Sequence, residues 1–229
     1  MKTVVTVGVL FLLMWLPVAG DEDIINPDHS EKPAPERVPE SNPTRKAEPE
    51  YVGTEAEEEL QTKIREALDR KIDTHLSRKE QRKLVIAKLK DIEALCDEYL
   101  RRFPAGGYVP ATRFRKAWTF YQLYRYARER SYRDKALKTA AKVIAEAPGT
   151  DAACRAHGLR MLLFRIMGKL GESMAEARTI TEKYPQHTLA PQAQYFIYDI
   201  YRRTKSPDKA EAALKTLIEK FPESEWGLK

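Results

Sequence analysis

The chain has 229 residues but only two cysteines and four histidines, which leaves little for metal or thiol chemistry. No Cys-x-x-Cys is present. None of His29, His75, His157 and His187 stands at metal-ligand spacing from another histidine or from a carboxylate. His29 falls in a proline-rich stretch, and the other three read as surface or groove residues. A Gly-x-Ser-x-Gly nucleophile turn is missing, and Gly106-Gly107 introduces no strand–helix unit of the kind that cradles phosphate. Glu57-Glu58-Glu59 suits a helix start, where carboxylates meet the positive end of the macrodipole, better than an acid–base pair. Sustained strand alternation is lacking throughout. Together these absences argue against an enzyme, a cofactor site or a metal centre, and for an all-α chain.

A membrane-spanning run is also lacking. The longest apolar stretch, Val4 to Leu16, has 13 residues, whereas a spanning helix needs roughly 20. Lys2 precedes this stretch and Pro17-Val18-Ala19-Gly20 follows it, with Val18 and Gly20 at the −3 and −1 positions of a small-residue cleavage site. Residues 1–20 are therefore expected to be a signal peptide cleaved after Gly20. No cysteine follows that site to carry a lipid. The expectation is an exported protein of the periplasm or cell envelope, or a secreted one, with no transmembrane segment after cleavage. Nucleic acid is then a poor candidate partner. Export makes a disulfide chemically accessible, but Cys96 and Cys154 fall in hairpins that stacking would keep apart, so free buried thiols are expected.

What the chain does have is a sharp division of charge. Asp21 to Glu59 holds 13 acidic and 4 basic residues, and Leu60 to Lys229 carries a net +14 within a whole-chain +6. The basic body could bind anionic partners, the acidic segment could screen that body, or both could serve solubility. Residues 21–53 carry prolines at 27, 33, 35, 39, 43 and 49 and few apolar residues. Such a segment cannot bury enough surface to offset its ordering entropy, so it reads as an extended, disordered linker.

Four helix-ending pairs organise the remainder: Phe103-Pro104, Ala147-Pro148, Tyr184-Pro185 and Phe221-Pro222. The last three prolines are 37 residues apart and the first gap is 44, which a Gly106–Pro110 turn could absorb. A fixed period in the thirties marks stacked helical hairpins. Twelve residues before the prolines stand Ile92, Ala136, Ser173 and Ala210. Eight before stand Cys96, Ala140, Ala177 and Leu214, and five before stand Tyr99, Val143, Ile180 and Leu217. In the first helices, Ala153 and Ala156 match Ala190 and Ala193. Helix starts are predicted at Thr54 with Glu57, Ser77 with Glu80, Ser131 with Asp134, Ser173 with Glu176, and Ser206-Pro207. Apolar stripes are predicted at Leu60, Ile64, Leu68 and Ile72, then at Leu84, Ile86, Leu89, Ile92, Leu95 and Tyr99. The reading is a long hairpin over 54–103 and three shorter ones over 104–229.

This pattern resembles the tetratricopeptide repeat superfamily over about Tyr99 to Trp226. It is similar to the version in bacterial envelope proteins, such as the periplasmic protein of the Tol–Pal system and the lipoprotein of the β-barrel assembly machine of the outer membrane. Two departures stand out: Ile197-Tyr198 replaces the usual leucine-glycine, and Leu170-Gly171 falls in a turn. The resemblance implies a right-handed α-solenoid of about four TPR-like hairpins whose first helices line a concave face. Ala111–Arg128 is rich in aromatic and basic side chains. Counted back from Ala136 and Ala210, Tyr121, Tyr124 and Arg128 correspond to Tyr195, Tyr198 and Arg202, and these six are the candidate groove. Tyrosine supplies apolar area at low entropy cost, and guanidinium grips carboxylate or phosphate through two bonds.

Two functions fit. One is an exported scaffold binding an extended segment of an envelope or secreted protein in that groove. The other is a basic domain docking on anionic lipid head groups or an acidic cell-wall polymer. The acidic linker is expected to compete for the groove, and the C-terminal face, followed only by residues 223–229, is expected to pair with another copy.

Overall fold

The computed structural model describes residues 53–226. The chain divides into two units after Glu48. The first unit, with the expected signal peptide and most of the linker, lies outside the described residues. Eight helices and no strand occur among the described residues. They are α1 Glu55–Asp69, α2 Arg78–Arg102, α3 Val109–Ala127, α4 Arg130–Glu146, α5 Asp151–Ile166, α6 Leu170–Lys183, α7 Ala190–Arg203 and α8 Pro207–Lys220. Each helix packs on the next along the chain, and α3 also packs on α5. That is the contact order of stacked helical hairpins. No helix of the described residues is long and apolar enough to cross a membrane.

The four second helices end alike. Phe103, Ala147, Tyr184 and Phe221 have φ of −127°, −136°, −129° and −136° with ψ of 63°, 56°, 47° and 53°. A following proline excludes the residue before it from the helical region, so each helix must stop there. Each of these residues still donates its N–H to the carbonyl four residues back, on Tyr99, Val143, Ile180 and Leu217. Those four acceptor residues are fully buried. The residues twelve before the prolines are buried too: Ile92, Ala136, Ser173 and Ala210. Small side chains at three of these positions admit the facing helix, and Ser173 Oγ donates to Met161 O at 2.9 Å.

Helix starts divide into two kinds. Thr54 with Glu57 and Ser77 with Glu80 form full capping boxes, and Pro207 occupies the first turn of α8. Ser131 and Ser173 are not caps. Helix α4 starts earlier, at Arg130, and α6 starts at Leu170, so Leu170-Gly171 opens a helix instead of forming a turn. In both cases a left-handed residue two positions upstream has already reversed the chain, at Arg128 (φ 65°) and Gly168 (φ 73°). The 44-residue first gap is also spent differently. The extra residues lengthen α3 to 19 and α4 to 17, against 14 each in α7 and α8, and Val109-Pro110 belongs to α3.

Two apolar clusters make the core. One joins α1 to α4 with Ala152, Ala156, Leu159 and Leu163 of α5, and the other joins Cys154 and Met161 of α5 with α6, α7 and α8. The α1 stripe ends with its helix at Asp69, before Ile72. Leu84 is 45% exposed, because α2, at 25 residues, outruns α1, at 15, and its first turns have no α1 to pack on. Cys96 and Cys154 are free and buried in different clusters, and burial pushes both thiols up to about 12. Enlarging a fully buried small position should be costly. Ala140→Leu is expected to lose about 1–3 kcal/mol by overpacking, and Lys138→Gln, exposed on the same helix, to lose almost nothing. Urea denaturation followed by circular dichroism measures both.

Candidate binding face

Within hairpins two to four, the turn joining the two helices carries one left-handed residue, which is the C-cap itself in hairpin two and the residue after the C-cap in the other two. Arg128, Gly168 and Lys205 take positive φ of 65°, 73° and 53°, and the next residue in each case is the N-cap of the second helix: Glu129, Lys169 and Ser206. These turns give a register for the first helices that does not pass through the second ones. Counting back from them, Arg125, Arg165 and Arg202 are equivalent. So are Tyr121, Met161 and Tyr198, then Trp118, Gly158 and Tyr195, then Arg115, Arg155 and Gln192.

This register corrects the one read from sequence. Tyr195 matches Trp118, not Tyr121, and Arg202 matches Arg125, not Arg128. Helix α4 is three residues longer than α8 and the excess precedes Ala136, so counting back through it slips by three. Ring geometry agrees with the turns. Trp118 and Tyr121 meet at 5.0 Å and 53°, and Tyr195 and Tyr198 meet at 5.8 Å and 54°.

The six residues chosen from sequence do not form one patch. Tyr121 belongs to the core, with only 6% of its surface exposed. Tyr124 is half-buried against the same core. Arg128 is exposed as the left-handed C-cap of α3. Tyr195 and Tyr198 are half-buried, and Tyr195 also meets Trp226 at 4.9 Å. Arg202 is exposed and donates to Asp199 at 3.0 Å. Helix α5 separates the two sets and presents Gly158 and Met161 at the aromatic positions. A Cβ on Gly158 would meet Leu189 Cδ1 at 3.1 Å, so this helix sits close against the α6–α7 turn.

The stripe Arg115, Trp118, Gln122 and Arg125 on α3 therefore continues as Arg155, Gly158, Leu162 and Arg165 on α5, and as Gln192, Tyr195, Asp199 and Arg202 on α7. Spacings of three and four keep each set on one side of its helix. Its charges are mostly paired. Arg165 donates to the buried Asp199 at 3.2 Å and lies 4.7 Å from the Phe196 ring centre. Burial holds the Arg165 guanidinium below its ordinary value, while the Asp199 charge acts the other way. Arg155 donates to Asp151 at 2.6 Å. Gln122 Oε1 is a buried acceptor with no hydrogen bond.

Two histidines read as surface or groove residues instead join helices. His187 accepts the Leu189 N–H on Nδ1 at 3.0 Å, which leaves Nε2–H to donate to Asp151 at 3.0 Å. His157 Nδ1 lies 2.6 Å from Glu176, whose other oxygen accepts from Arg160 at 2.6 Å. These partners lie 36 and 19 residues apart in sequence, beyond any local spacing rule. No group of three or more His, Cys, Asp or Glu side chains among the described residues could hold a metal ion.

Neither a family model nor a curated protein matches the chain. Solved structures do. A tetratricopeptide repeat protein from Parabacteroides merdae matches over 76% of this chain and 57% of its own, with 16% identity and a TM-score of 0.55. The thermophilic TPR protein TTC0263 from Thermus thermophilus matches over 74% of this chain and 83% of its own, with 14% identity and a TM-score of 0.48. MamA, from residue 41 to its end, of Desulfovibrio magneticus matches over 75% and 98%, with 13% identity and a TM-score of 0.46. The chain spans little more than half the length of the first of these. The fold is that of tetratricopeptide repeat proteins, an all-α helical-repeat solenoid.

Glu176 supplies a test of the paired face. Burial raises its carboxyl, but the hydrogen bonds from His157 and Arg160 outweigh this and hold it below 4.5. Its stabilisation is therefore complete above that value and is lost as pH falls through the depressed folded one. Glu176→Gln is expected to cost about 1–3 kcal/mol at neutral pH. The gap from the parent should close under acid conditions, as read by denaturation across pH.

Proposed function

We propose that this chain is an exported scaffold that binds an extended segment of an envelope or secreted protein along the first helices of its hairpins. The observation that carries the reading is the stripe just described. Two aromatic pairs, Trp118–Tyr121 and Tyr195–Tyr198, stand either side of a gap at Gly158, with half-buried Trp118, Tyr195 and Tyr198 on the surface, Tyr121 beneath in the core, and an arginine at the same position on all three helices. Large rings flanking a small residue suit a ligand whose side chains alternate between filling and clearing the surface. Aromatics and arginine are also the side chains that dominate binding energy where they are desolvated. The absence of a catalytic motif from the sequence supports a scaffold over a catalyst. The apolar segment ahead of Gly20 supports export, and the +14 balance of the body favours segments that carry negative charge.

The reading has a direct test. A displayed random-peptide library is selected on the chain from Asp21 onward, and the selected peptides are titrated by fluorescence anisotropy. Trp118→Ala and Tyr198→Ala are each expected to weaken binding by about tenfold or more. Ile218→Ala, exposed on α8, should leave binding unchanged. Selected peptides that ignore both aromatic substitutions would defeat the reading. For export, residues 1–20 fused to alkaline phosphatase should yield active enzyme in a bacterial host, and an inactive fusion would remove that part.

A further inference from the structure

We propose that an open groove between the start of α2 and the α3–α4 turn is a second binding site, which takes the phosphate of an anionic phospholipid head group and seats α2 on a membrane surface. The groove lies on the second helices, away from the aromatic face, and its role goes beyond the scaffold reading.

The groove has a volume of about 340 Å³, and Lys79, Arg82, Lys83, Ile86 and Lys90 of α2 line one wall. Spacings of three and four put these five on one side of the helix. Ala127 and Tyr132 line the other wall, with Glu129 as the single carboxylate. Arg82 Nε donates to Tyr126 O at 2.6 Å, which ties α2 to the end of α3 and holds that guanidinium beside the groove. The Tyr132 ring stacks on Phe120 at 6.3 Å, and Lys135 Nζ lies 5.2 Å from its centre. Four cations from α2 therefore border one small space, and a fifth on α4 stands over its aromatic wall.

These charges are not neutralised within the protein. Residues 78–91 carry six basic and two acidic side chains. Glu80 is held by the Ser77 cap and Asp91 by Arg70, while Lys88 turns inward to the carbonyls of Leu68 and Arg70. Lys79, Lys83 and Lys90 are exposed and make no ion pair among the described residues. By contrast, Arg113, Lys116 and Arg160 each meet a carboxylate.

Two observations select a lipid over an acidic peptide. Three of the four groove cations are lysines, which meet phosphate as compact point charges and lack the fork that grips a carboxylate in one direction. Leu84, next to Lys83, is 45% exposed on the same overhanging turns, where α1 no longer covers α2. Only the small, exposed Ala87 separates Leu84 from the groove around the helix, so one flat surface can meet both. Cations flanking an exposed apolar side chain are the composition of a helix that lies in a membrane interface.

The test measures binding of the chain from Asp21 onward to lipid vesicles by flotation. Residues 1–20 belong to the other structural unit, and leaving them out keeps their apolar run from contributing. Vesicles of equal parts phosphatidylglycerol and phosphatidylcholine should bind, and phosphatidylcholine alone should not. Each cation near such a surface is worth about fivefold in affinity, so Lys79→Gln, Lys83→Gln and Lys90→Gln together should weaken binding about a hundredfold. Lys183→Gln, Lys215→Gln and Lys220→Gln, which remove the same charge from α6 and α8, should preserve it. Leu84→Gln should weaken it about fivefold through the lost apolar contact. All these side chains are exposed, so melting temperatures should stay at the parent value.

Equal loss in the two triple variants would reduce the effect to net charge and overturn the site. Equal binding to both kinds of vesicle, binding to neither, or indifference to Leu84→Gln would overturn the membrane assignment. Glycerol phosphate and polyglutamate should each displace the vesicles only weakly. Strong displacement by the first would make the ligand a soluble phosphate, and by the second an acidic peptide, and either would defeat the proposal. The groove variant should still bind the library-selected peptides, and losing them as well would overturn the separation of the two sites.

Discussion

One backbone constraint sets the frame of this molecule: the residue before each repeat-ending proline cannot be helical. Phe103, Ala147, Tyr184 and Phe221 answer it with nearly the same pair of dihedrals, and each still closes a last hydrogen bond onto a fully buried residue. Because the stop is fixed, the positions five and twelve residues upstream are fixed in phase with it. That phase turns Ile92, Ala136, Ser173 and Ala210 inward. Side chains as different as isoleucine, alanine and serine can share one structural role there, because position and not chemistry assigns it.

A second constraint, independent of the first, phases the other half of each hairpin. The left-handed residues Arg128, Gly168 and Lys205 set where the first helix ends and the second begins. Only one of the three is glycine. An arginine and a lysine hold the same strained region, at a cost on the order of 1–3 kcal/mol each, which the packing of the helices on both sides must offset. The aromatic and arginine stripe takes its alignment from these turns. The face that could meet a ligand is therefore governed by the inner turn of each hairpin, while the core is governed by the outer, proline-bearing one.

That separation explains what was legible in the sequence and what was not. The proline period, the buried small residues and the two capping boxes are local or strictly periodic features, and they led directly to an all-α solenoid. The candidate face was legible in kind, as tyrosine and arginine on first helices, but its register was not. Counting through α4 carried three extra residues into the comparison, and nothing in the letters marks Arg128 as left-handed where glycine stands one repeat later. The long-range hydrogen bonds were hidden for another reason. Asp151 with His187 and Glu176 with His157 are joined by stacking, not by neighbourhood, and no spacing rule covers 36 or 19 residues. Ser173 shows the same limit in miniature, since its sequence context reads as a cap and its surroundings make it a buried donor to Met161.

Helix α5 has a consequence for how the domain comes apart. It gives Ala152, Ala156, Leu159 and Leu163 to one apolar cluster and Cys154 and Met161 to the other. In a linear array each repeat contributes its own stability plus that of its borders, and here two such blocks share a single helix as their common border. Fraying from either end can proceed only as far as α5 before it must dismantle the wall of the opposite block. The two apolar clusters thus share one helix as their common wall, and that helix is also the one that carries the gap between the aromatic pairs.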